Sequence, residues 1–354
     1  MVTWRDGTAS YGLEVEPVTF ETVLRALAEG TSWRATARLV EVAKDTVCAW
    51  RDRGARHCRA VIRSRWRTLP VTECQRDDWW SLIHPKPENR PGATESLDPD
   101  GDAWGWWALA PVWRLRLGVV IGNHHPLSAD RLVEPVAWVT DGTIPVFTSA
   151  PGPAYPHAVV KLYREWDCPP RRGTRGPHPK PRRRPLADRR YAHGIQHRTG
   201  GRITASSTAV VVGDPAAVAA RLTHAPVSRM SHPRVVERDT LTPRQPNRRW
   251  ARRPHGFSND WSGLEKPWWG SRAYYQVGLP HDSWRRPLPV TEPTRGSGSP
   301  RRGRPMTLAR AAGVTDPVWT PEELFSDRVS PLYWAECPHL EKWFPCWPEV
   351  HHGN

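Results

Sequence analysis

The sequence has no run of about 18 apolar residues, which is the length that a membrane-spanning helix requires. Its first residues, Met-Val-Thr-Trp-Arg-Asp, also lack the apolar core of a secretory signal. The 6 cysteines are scattered without a C-x-x-C pair, so that neither a zinc site nor a dense disulfide framework is predicted. We therefore expect a cytoplasmic protein with reduced thiols and no membrane partner.

Acidic residues are scarce relative to basic ones. The chain has 36 Asp and Glu against 51 Lys and Arg, a formal net charge of +15 at pH 7. Such an excess indicates an anionic partner, and nucleic acid is favoured over a membrane surface. Nearly all of this charge is carried by Arg, which forks onto phosphates and guanines better than Lys does. A GC-rich genome produces the same Arg bias.

The length of 354 residues predicts a small module followed by a larger one. Near the N-terminus, apolar residues recur at helical spacing from Phe20 to Leu27, and Gly30 ends the run. Ser32 can cap a second helix, and a tight turn at residues 41–44 leads into a third. This spacing is typical of a helix-turn-helix motif, although a plain three-helix bundle has the same pattern.

The third helix of such a motif lies in the DNA major groove, where its early outward residues meet base edges. The pattern places Val47, Cys48 and Trp50 on the inner side of this helix. The candidate DNA-binding residues are therefore Lys44, Asp45, Thr46, Ala49 and Arg51.

From about residue 70 the pattern is mixed, which favours an α/β sheet. The predicted elements are a strand at 71–83, a hairpin at 104–121 that turns near Pro111, a helix at 127–139, a strand at 144–148, a strand at 202–212, a helix at 215–222 and a helix from Val235.

Two segments have the composition of connecting chain. Residues 171–202 are rich in Arg and Pro, with Asp188 as their only acid, and predict an extended basic arm on a phosphate backbone; a solvated linker is the alternative. Residues 291–304 are rich in Gly, Ser, Pro and Arg and read as a linker, so that 291–354 is predicted to be linker and irregular tail. The arm residues proposed to bind DNA are Arg171, Arg172, Arg175, Arg182, Arg183 and Arg184.

Six short segments are informative together; they lie at residues 30–39, 44–47, 101–104, 129–133, 171–176 and 236–238. These segments resemble DDE-type transposases of the insertion sequence one family. The resemblance implies a helix-turn-helix head at 1–66 and an RNase H-like mixed-sheet catalytic domain at 67–290. It also implies double-stranded DNA as partner, at element ends and target, and a homo-oligomer.

The resemblance further implies an Asp, Asp, Glu triad that binds two Mg²⁺ or Mn²⁺ ions. The first Asp matches Asp77, while Asp78 should point to the opposite face because side chains alternate along a strand. The third ligand matches Glu237. Further basic residues implied to hold DNA phosphate near it are Arg244, Arg248 and Arg249.

The second carboxylate of the triad is missing. The family pattern Phe-Thr-Ser-Asp is represented here by Phe147-Thr148-Ser149-Ala150, and Asp141 lies nine residues upstream, too far along the chain to stand in. We therefore expect a transposase-family protein with impaired catalysis. The alternative is a non-catalytic DNA-binding remnant that binds element ends.

Other departures from the family pattern point in the same direction. The turn of the head has Glu41 and Ala43 where the family has Gly and Ser, which loses a residue tolerant of left-handed geometry and a helix cap. Pro267 and Gly270 interrupt a stretch that the family keeps helical. Together with 21 tryptophans, these departures suggest a degenerate copy of a mobile element.

Overall fold

The computed structural model describes the greater part of the chain. The described residues are 7–83, 101–152, 154–167, 182–200, 202–225, 234–239, 247, 250, 258, 261–294, 296, 298–316, 318–330 and 333–334.

Three helices form the N-terminal head. They are α1 (Pro17–Ala28), α2 (Trp33–Val40) and α3 (Lys44–Arg65). The rings of Phe20 and Trp50 meet edge to face with centroids 5.8 Å apart, and both side chains are buried. The apolar periodicity that predicted these helices therefore forms the contact between α1 and α3.

A six-stranded mixed sheet follows the head, which confirms the predicted α/β class. Its strands in chain order are β1 (Glu73–Ile83), β2 (Gly101–Ala110), β3 (Leu115–Gly122), β4 (Val146–Ser149), β7 (Arg190–Thr199) and β8 (Arg202–Val212). The spatial order is β3-β2-β1-β4-β7-β8. The pairs β1–β4 and β4–β7 are parallel, and the other pairs are antiparallel. Strands β5 (Arg164–Asp167) and β6 (Arg182–Pro185) form a separate pair.

The sheet is covered on both faces. Helices α4 (Pro126–Val139) and α5 (Ala154–Leu162) lie on one face and contribute to the main core. Helices α6 (Pro215–Thr223), α7 (Arg234–Asp239) and α8 (Trp261–Ala273) lie on the other. The adjacent β2 residues Trp106 and Trp107 belong to different cores, because successive strand side chains point to opposite faces.

Most predicted elements of the sheet domain are confirmed within one or two residues. The hairpin turns between Ala110 and Leu115, and the strand at 202–212 and the helices at 127–139 and 215–222 are present. No helix among the residues that the structure describes is long and apolar enough to cross a membrane.

The prediction of an extended basic arm at 171–202 is wrong over residues 190–199. These residues form β7, which pairs with both β4 and β8, and Tyr191 and Ala192 are fully buried. The high Arg content concealed this strand, since the apolar residues that enter the core are few. Residues 171–181 of the predicted arm lie outside the described part of the chain.

The prediction of linker and irregular tail from residue 291 is wrong at residues 301–306, 308–311 and 321–326. Strand β9 (His281–Glu292) pairs with β10 (Arg301–Met306), and α9 (Leu308–Ala311) and α10 (Pro321–Ser326) follow.

Helix α10 returns to the head. The Phe325 ring lies 6.0 Å from that of Phe20, and the Ala9 N–H donates to the Phe325 carbonyl at 2.9 Å. This packing is a long-range burial of apolar surface that local composition does not encode. Residues 335–354 of the predicted tail lie outside the described chain.

The turn before α3 has the two weaknesses that the sequence suggested. Glu41 adopts a left-handed conformation with φ 57°, and Ala43 occupies the N-cap position of α3 without a side-chain hydrogen bond. By contrast, the Ser32 hydroxyl caps α2 and accepts from the Ala35 N–H at 3.2 Å. The start of α3 therefore lacks an interaction that the preceding helix has.

We predict that Ala43→Ser raises the free energy of unfolding by about 1 kcal/mol, because Ser supplies an acceptor for an unpaired N–H of the first turn. Urea unfolding measures the change. Ser32→Ala is the matched control and should lower stability by a similar amount. A neutral or destabilising Ala43→Ser would contradict the assignment of this cap.

His57 connects α3 to α10. Its side chain is fully buried, and its Nε2 lies 2.9 Å from the Leu324 carbonyl oxygen. Burial lowers the pKa of His57 from 6.5 to about 4, because the charged imidazolium loses its hydration. In the unfolded chain this histidine binds a proton near pH 6.5, whereas in the folded chain it does so only near pH 4.

We predict that stability falls by about 3 kcal/mol as the pH drops from 6.5 to about 4, and that this contribution is flat below that range. The unfolded state binds the proton first, so acid favours unfolding. Urea unfolding across this range, compared with His57→Gln, isolates the contribution of this residue. If the unfolding free energies of the two proteins fell equally with decreasing pH, His57 would not be the source of the loss.

Candidate functional site

The pairing of β1 with β4 brings Asp77 next to Ala150. The register pairs Gln75 with Thr148 and Arg76 with Ser149, so the next residue on each chain is Asp77 and Ala150. Neighbouring residues in register on parallel strands present their side chains to the same face. Ala150, the position where the resemblance implies a carboxylate, is therefore the first residue after β4, beside Asp77 of β1.

Asp77 lies on the sheet face that α7 and α8 cover. Its partner on β2 is Trp107, whose ring packs against Trp79 at 4.8 Å and Trp268 at 6.0 Å. These tryptophans form a separate apolar cluster with Trp250, which is fully buried. The floor of the candidate site is thus a group of large aromatic side chains rather than open solvent.

Helix α7 brings Glu237 to the same face. The Val236 N–H donates to the Gln75 Oε1 at 3.2 Å, and Gln75 precedes Asp77 by two residues, on the same side of β1. The Gln196 amide of β7 donates to both carboxylate oxygens of Glu237, at 3.3 and 3.4 Å. Asp77 and Glu237 therefore lie on one face of β1 and β7, beside the end of β4 that Ala150 follows.

Asp78 lies on the opposite face of β1. Its Oδ2 is 2.9 Å from the His124 Nε2, and the His124 ring lies 4.2 Å from that of Trp104 and 5.1 Å from that of Trp106. Asp78 is thus engaged with residues of β2 and of the loop after β3. It does not join Asp77 and Glu237.

The donors on the α7 face do not fit a two-ion metal site. Position 150 contributes only a methyl group, and the Gln196 amide contacts both Glu237 oxygens. Within the described ranges, no three His, Cys, Asp or Glu side chains are grouped so that they could hold a metal ion. A two-ion centre requires several converging carboxylates. The donor set for the expected pair of Mg²⁺ or Mn²⁺ ions is incomplete.

A buried ion pair holds the C-terminal end of α7. The Arg116 Nε lies 2.5 Å from the Asp239 Oδ2, and the two side chains are 3% and 4% exposed. Arg272 of α8 donates to the Arg116 carbonyl oxygen and, at 2.9 Å, to Gln276. Burial and the nearby Arg116 charge hold the pKa of Arg272 well below its usual range. Helix α7 is consequently anchored on both sides of Glu237.

Arg76 is an unusual residue of the main core. It is fully buried, and its guanidinium carbon lies 4.8, 4.5 and 5.0 Å from the ring centroids of Phe147, Tyr155 and Tyr191. Cation–π attraction offsets part of the cost of burying this charge. In the sequence, Arg76 is recognisable only as a charged residue that interrupts the pattern of the predicted strand.

The candidate DNA-binding residues of the head are not equivalent. Lys44, Asp45 and Ala49 are exposed and Thr46 is half-buried. Arg51 is 20% exposed and donates to Asp52 at 2.7 and 2.8 Å, while Asp52 also accepts from Lys266 of α8 at 2.7 Å. Arg51 therefore takes part in the contact between the head and α8.

The remaining predicted DNA contacts are only partly described. Arg184 is exposed on β6, which also contains Arg182 and Arg183. The other predicted contacts lie outside the described residues; they are Arg171, Arg172, Arg175, Arg244, Arg248 and Arg249.

Sequence reasoning did not identify Gln75, Gln196 or Asp239 as parts of this site. Strand alternation from Asp77 could have indicated Gln75. Gln196 and Asp239 carry no local signal, because their partners are 41 and 123 residues away.

Comparisons with known proteins add little. No family model matches the chain, and no curated protein matches it. The chain is similar to the crystal structure of the Mos1 strand transfer complex at 10% identity, over 39% of this chain and 53% of that one, with a TM-score of 0.17. A Mos1 transposase paired-end complex with left transposon end has the same identity and TM-score over 40% and 56%. The chain thus spans about half the length of these proteins, and this TM-score carries no argument about function.

We predict that Asp239→Asn lowers the free energy of unfolding by about 3 to 5 kcal/mol, because it leaves the Arg116 guanidinium buried without a counter-charge. Urea unfolding measures the loss. The control is Asp282→Asn, which removes the exposed partner of Arg285 and should cost less than about 1 kcal/mol. Equal losses of unfolding free energy in the two variants would show that the buried ion pair contributes no more than the exposed one.

Proposed function

We propose that the chain is a DNA-binding protein of the DDE transposase class whose cutting site is impaired at Ala150. The observation that carries this proposal is that Asp77 and Glu237 lie on one face of the sheet, beside the end of β4 that Ala150 follows. These three positions were matched to a catalytic triad from sequence segments alone. If the three matches were accidental, these residues would have no reason to lie together in the fold.

The order of the sheet supports an RNase H-like catalytic domain. Strand β1 has the antiparallel strands β2 and β3 on one side and the parallel strands β4 and β7 on the other. This arrangement places the end of β4 directly beside the middle of β1. Phosphoryl transfer requires carboxylates from separate elements at such a place.

The structure of the head supports the proposal that duplex DNA is the partner. Helices α2 and α3 are joined by a three-residue turn, as in a helix-turn-helix motif, and the exposed Lys44, Asp45 and Ala49 lie on the first turns of α3. The net charge of +15 favours binding to phosphates. Because transposases of this class act as multimers, we expect a homo-oligomer on DNA.

The loss at position 150 argues against cutting. A missing carboxylate removes one anionic ligand and its share of transition-state charge stabilisation, which for a single such group is on the order of 100-fold or more in rate. The second candidate function is therefore a non-catalytic DNA-binding remnant that occupies element ends. The incomplete donor set favours it over an active enzyme.

We predict that Ala150→Asp restores nicking of a plasmid carrying the DNA that flanks this gene, at least about 100-fold above the unaltered protein, in Mg²⁺ or Mn²⁺. Conversion of supercoiled to nicked plasmid is the measurement. Ala150→Asn is the matched control, since it has nearly the same shape without the charge, and should not nick.

Two further variants test the assignment of faces. In the Ala150→Asp background, Asp77→Asn should abolish nicking, whereas Asp78→Asn, on the other face, should preserve it. Nicking by the unaltered protein would refute the claim of impairment. If no variant nicks but the protein binds duplex DNA with steep salt dependence, the remnant function is supported instead.

A further inference from the structure

A basic two-stranded ribbon extends from the end of α8. It consists of β9 (His281–Glu292) and β10 (Arg301–Met306), which pair only with each other in the described structure. A π-helical turn at Tyr274–Gly278 leads into β9, and β10 leads into α9. We call these two strands the basic ribbon.

Five arginines and two acids occupy the basic ribbon, and the arginine side chains are exposed. Arg285 is paired with Asp282 at 3.0 Å, and Arg304 is paired with Glu292. The acids therefore offset only part of the positive charge. The arginines of the ribbon are Arg285, Arg286, Arg301, Arg302 and Arg304.

The register places like charges against each other. Arg286 lies directly opposite Arg304 on the partner strand, and Arg302 lies next to this pair, at the irregularity in the register between Arg301 and Gly303. Like charges opposite each other destabilise a strand pair. Glu292 offsets the charge of Arg304, and an anionic ligand on this part of the ribbon would offset the remaining charge of Arg286 and Arg302.

The prolines of the basic ribbon are explained by protection of its exposed strand edges. Pro287, Pro289 and Pro305 remove backbone donors and so hinder pairing with a further strand. Edge protection is also served by isolated charges. It does not require two arginines to face each other.

The base of the basic ribbon lies near the candidate site. Burial and the nearby charge of Arg114 lower the pKa of His281, and the charges of Arg238 and Asp239 also act on it. Arg238 and Asp239 follow Glu237 on α7. The start of the ribbon is therefore within electrostatic range of the C-terminal end of α7.

The shape of the ribbon suits duplex DNA. The major groove is about 12 Å wide and admits a two-stranded β-ribbon, and arginines along such a ribbon reach phosphates on either side. We propose that the basic ribbon is a DNA-binding element separate from the head, and that its Arg286, Arg302 and Arg304 contact the phosphate backbone. This inference rests on duplex DNA as the partner in the proposed function.

The experiment compares the full chain with Arg286→Gln/Arg302→Gln. Fluorescence anisotropy of a labelled duplex from the DNA that flanks the gene is followed between about 50 and 200 mM salt. Loss of two phosphate contacts should weaken binding and reduce the slope of log affinity against log salt by about 2. Arg286→Lys/Arg302→Lys keeps the charge and should retain the slope of the unaltered protein.

The matched control is Arg131→Gln/Arg221→Gln, which removes the same charge from exposed positions on α4 and α6. Equal slope changes in the ribbon and control variants would overturn the ribbon as a specific contact, as would an unchanged slope in the ribbon variant. If the unaltered protein fails to bind duplex DNA, the proposed function falls and the ribbon with it. The ribbon variant should melt at a temperature no lower than that of the unaltered protein, because the substitution removes like charges that lie close together.

Discussion

The parallel pairing of β1 with β4 determines most of what this protein presents to a partner. It sets Asp77 beside position 150 and, on the other face, encloses Arg76 between the aromatic rings contributed by β4, α5 and β7. A shift of one residue in this register would exchange the two faces, and would move Asp77 into the apolar core and Arg76 toward α7. The two faces are therefore specified together.

Charge burial on both sides of the sheet shows how that register is maintained. On one side the Arg76 guanidinium has aromatic rings around it, and on the other Arg116 has Asp239. Both arrangements carry a large desolvation cost, which only well-placed partners offset. Such groups add little net stability, but they penalise alternative packings strongly. Helix α7, only six residues long, depends on this kind of restraint to present Glu237.

The chain combines a well-defined scaffold with an incomplete set of carboxylates at the candidate site. The sheet is covered on both faces and its register is continuous where β1 meets β4, so the geometry for converging carboxylates is present. Ala150 follows β4 without interrupting the pairing of β4 with β1. The exposed start of α3 and the arginines of the basic ribbon lie on other elements. The surfaces proposed to bind DNA are therefore built independently of position 150.

Sequence alone determined the elements whose signal is local. The periodicity around Phe20, the hairpin turn near Pro111 and the alternation through Asp77 each depend on a few neighbouring residues. Prediction from the sequence failed where an element depends on partners that are distant in the chain. β7 was hidden in a basic segment whose strand pairing depends on β4 and β8, and α10 owes its place to Phe20 on α1. Only the tertiary structure decided which side chains meet at Glu237, because burial and pairing join residues that are far apart in the chain.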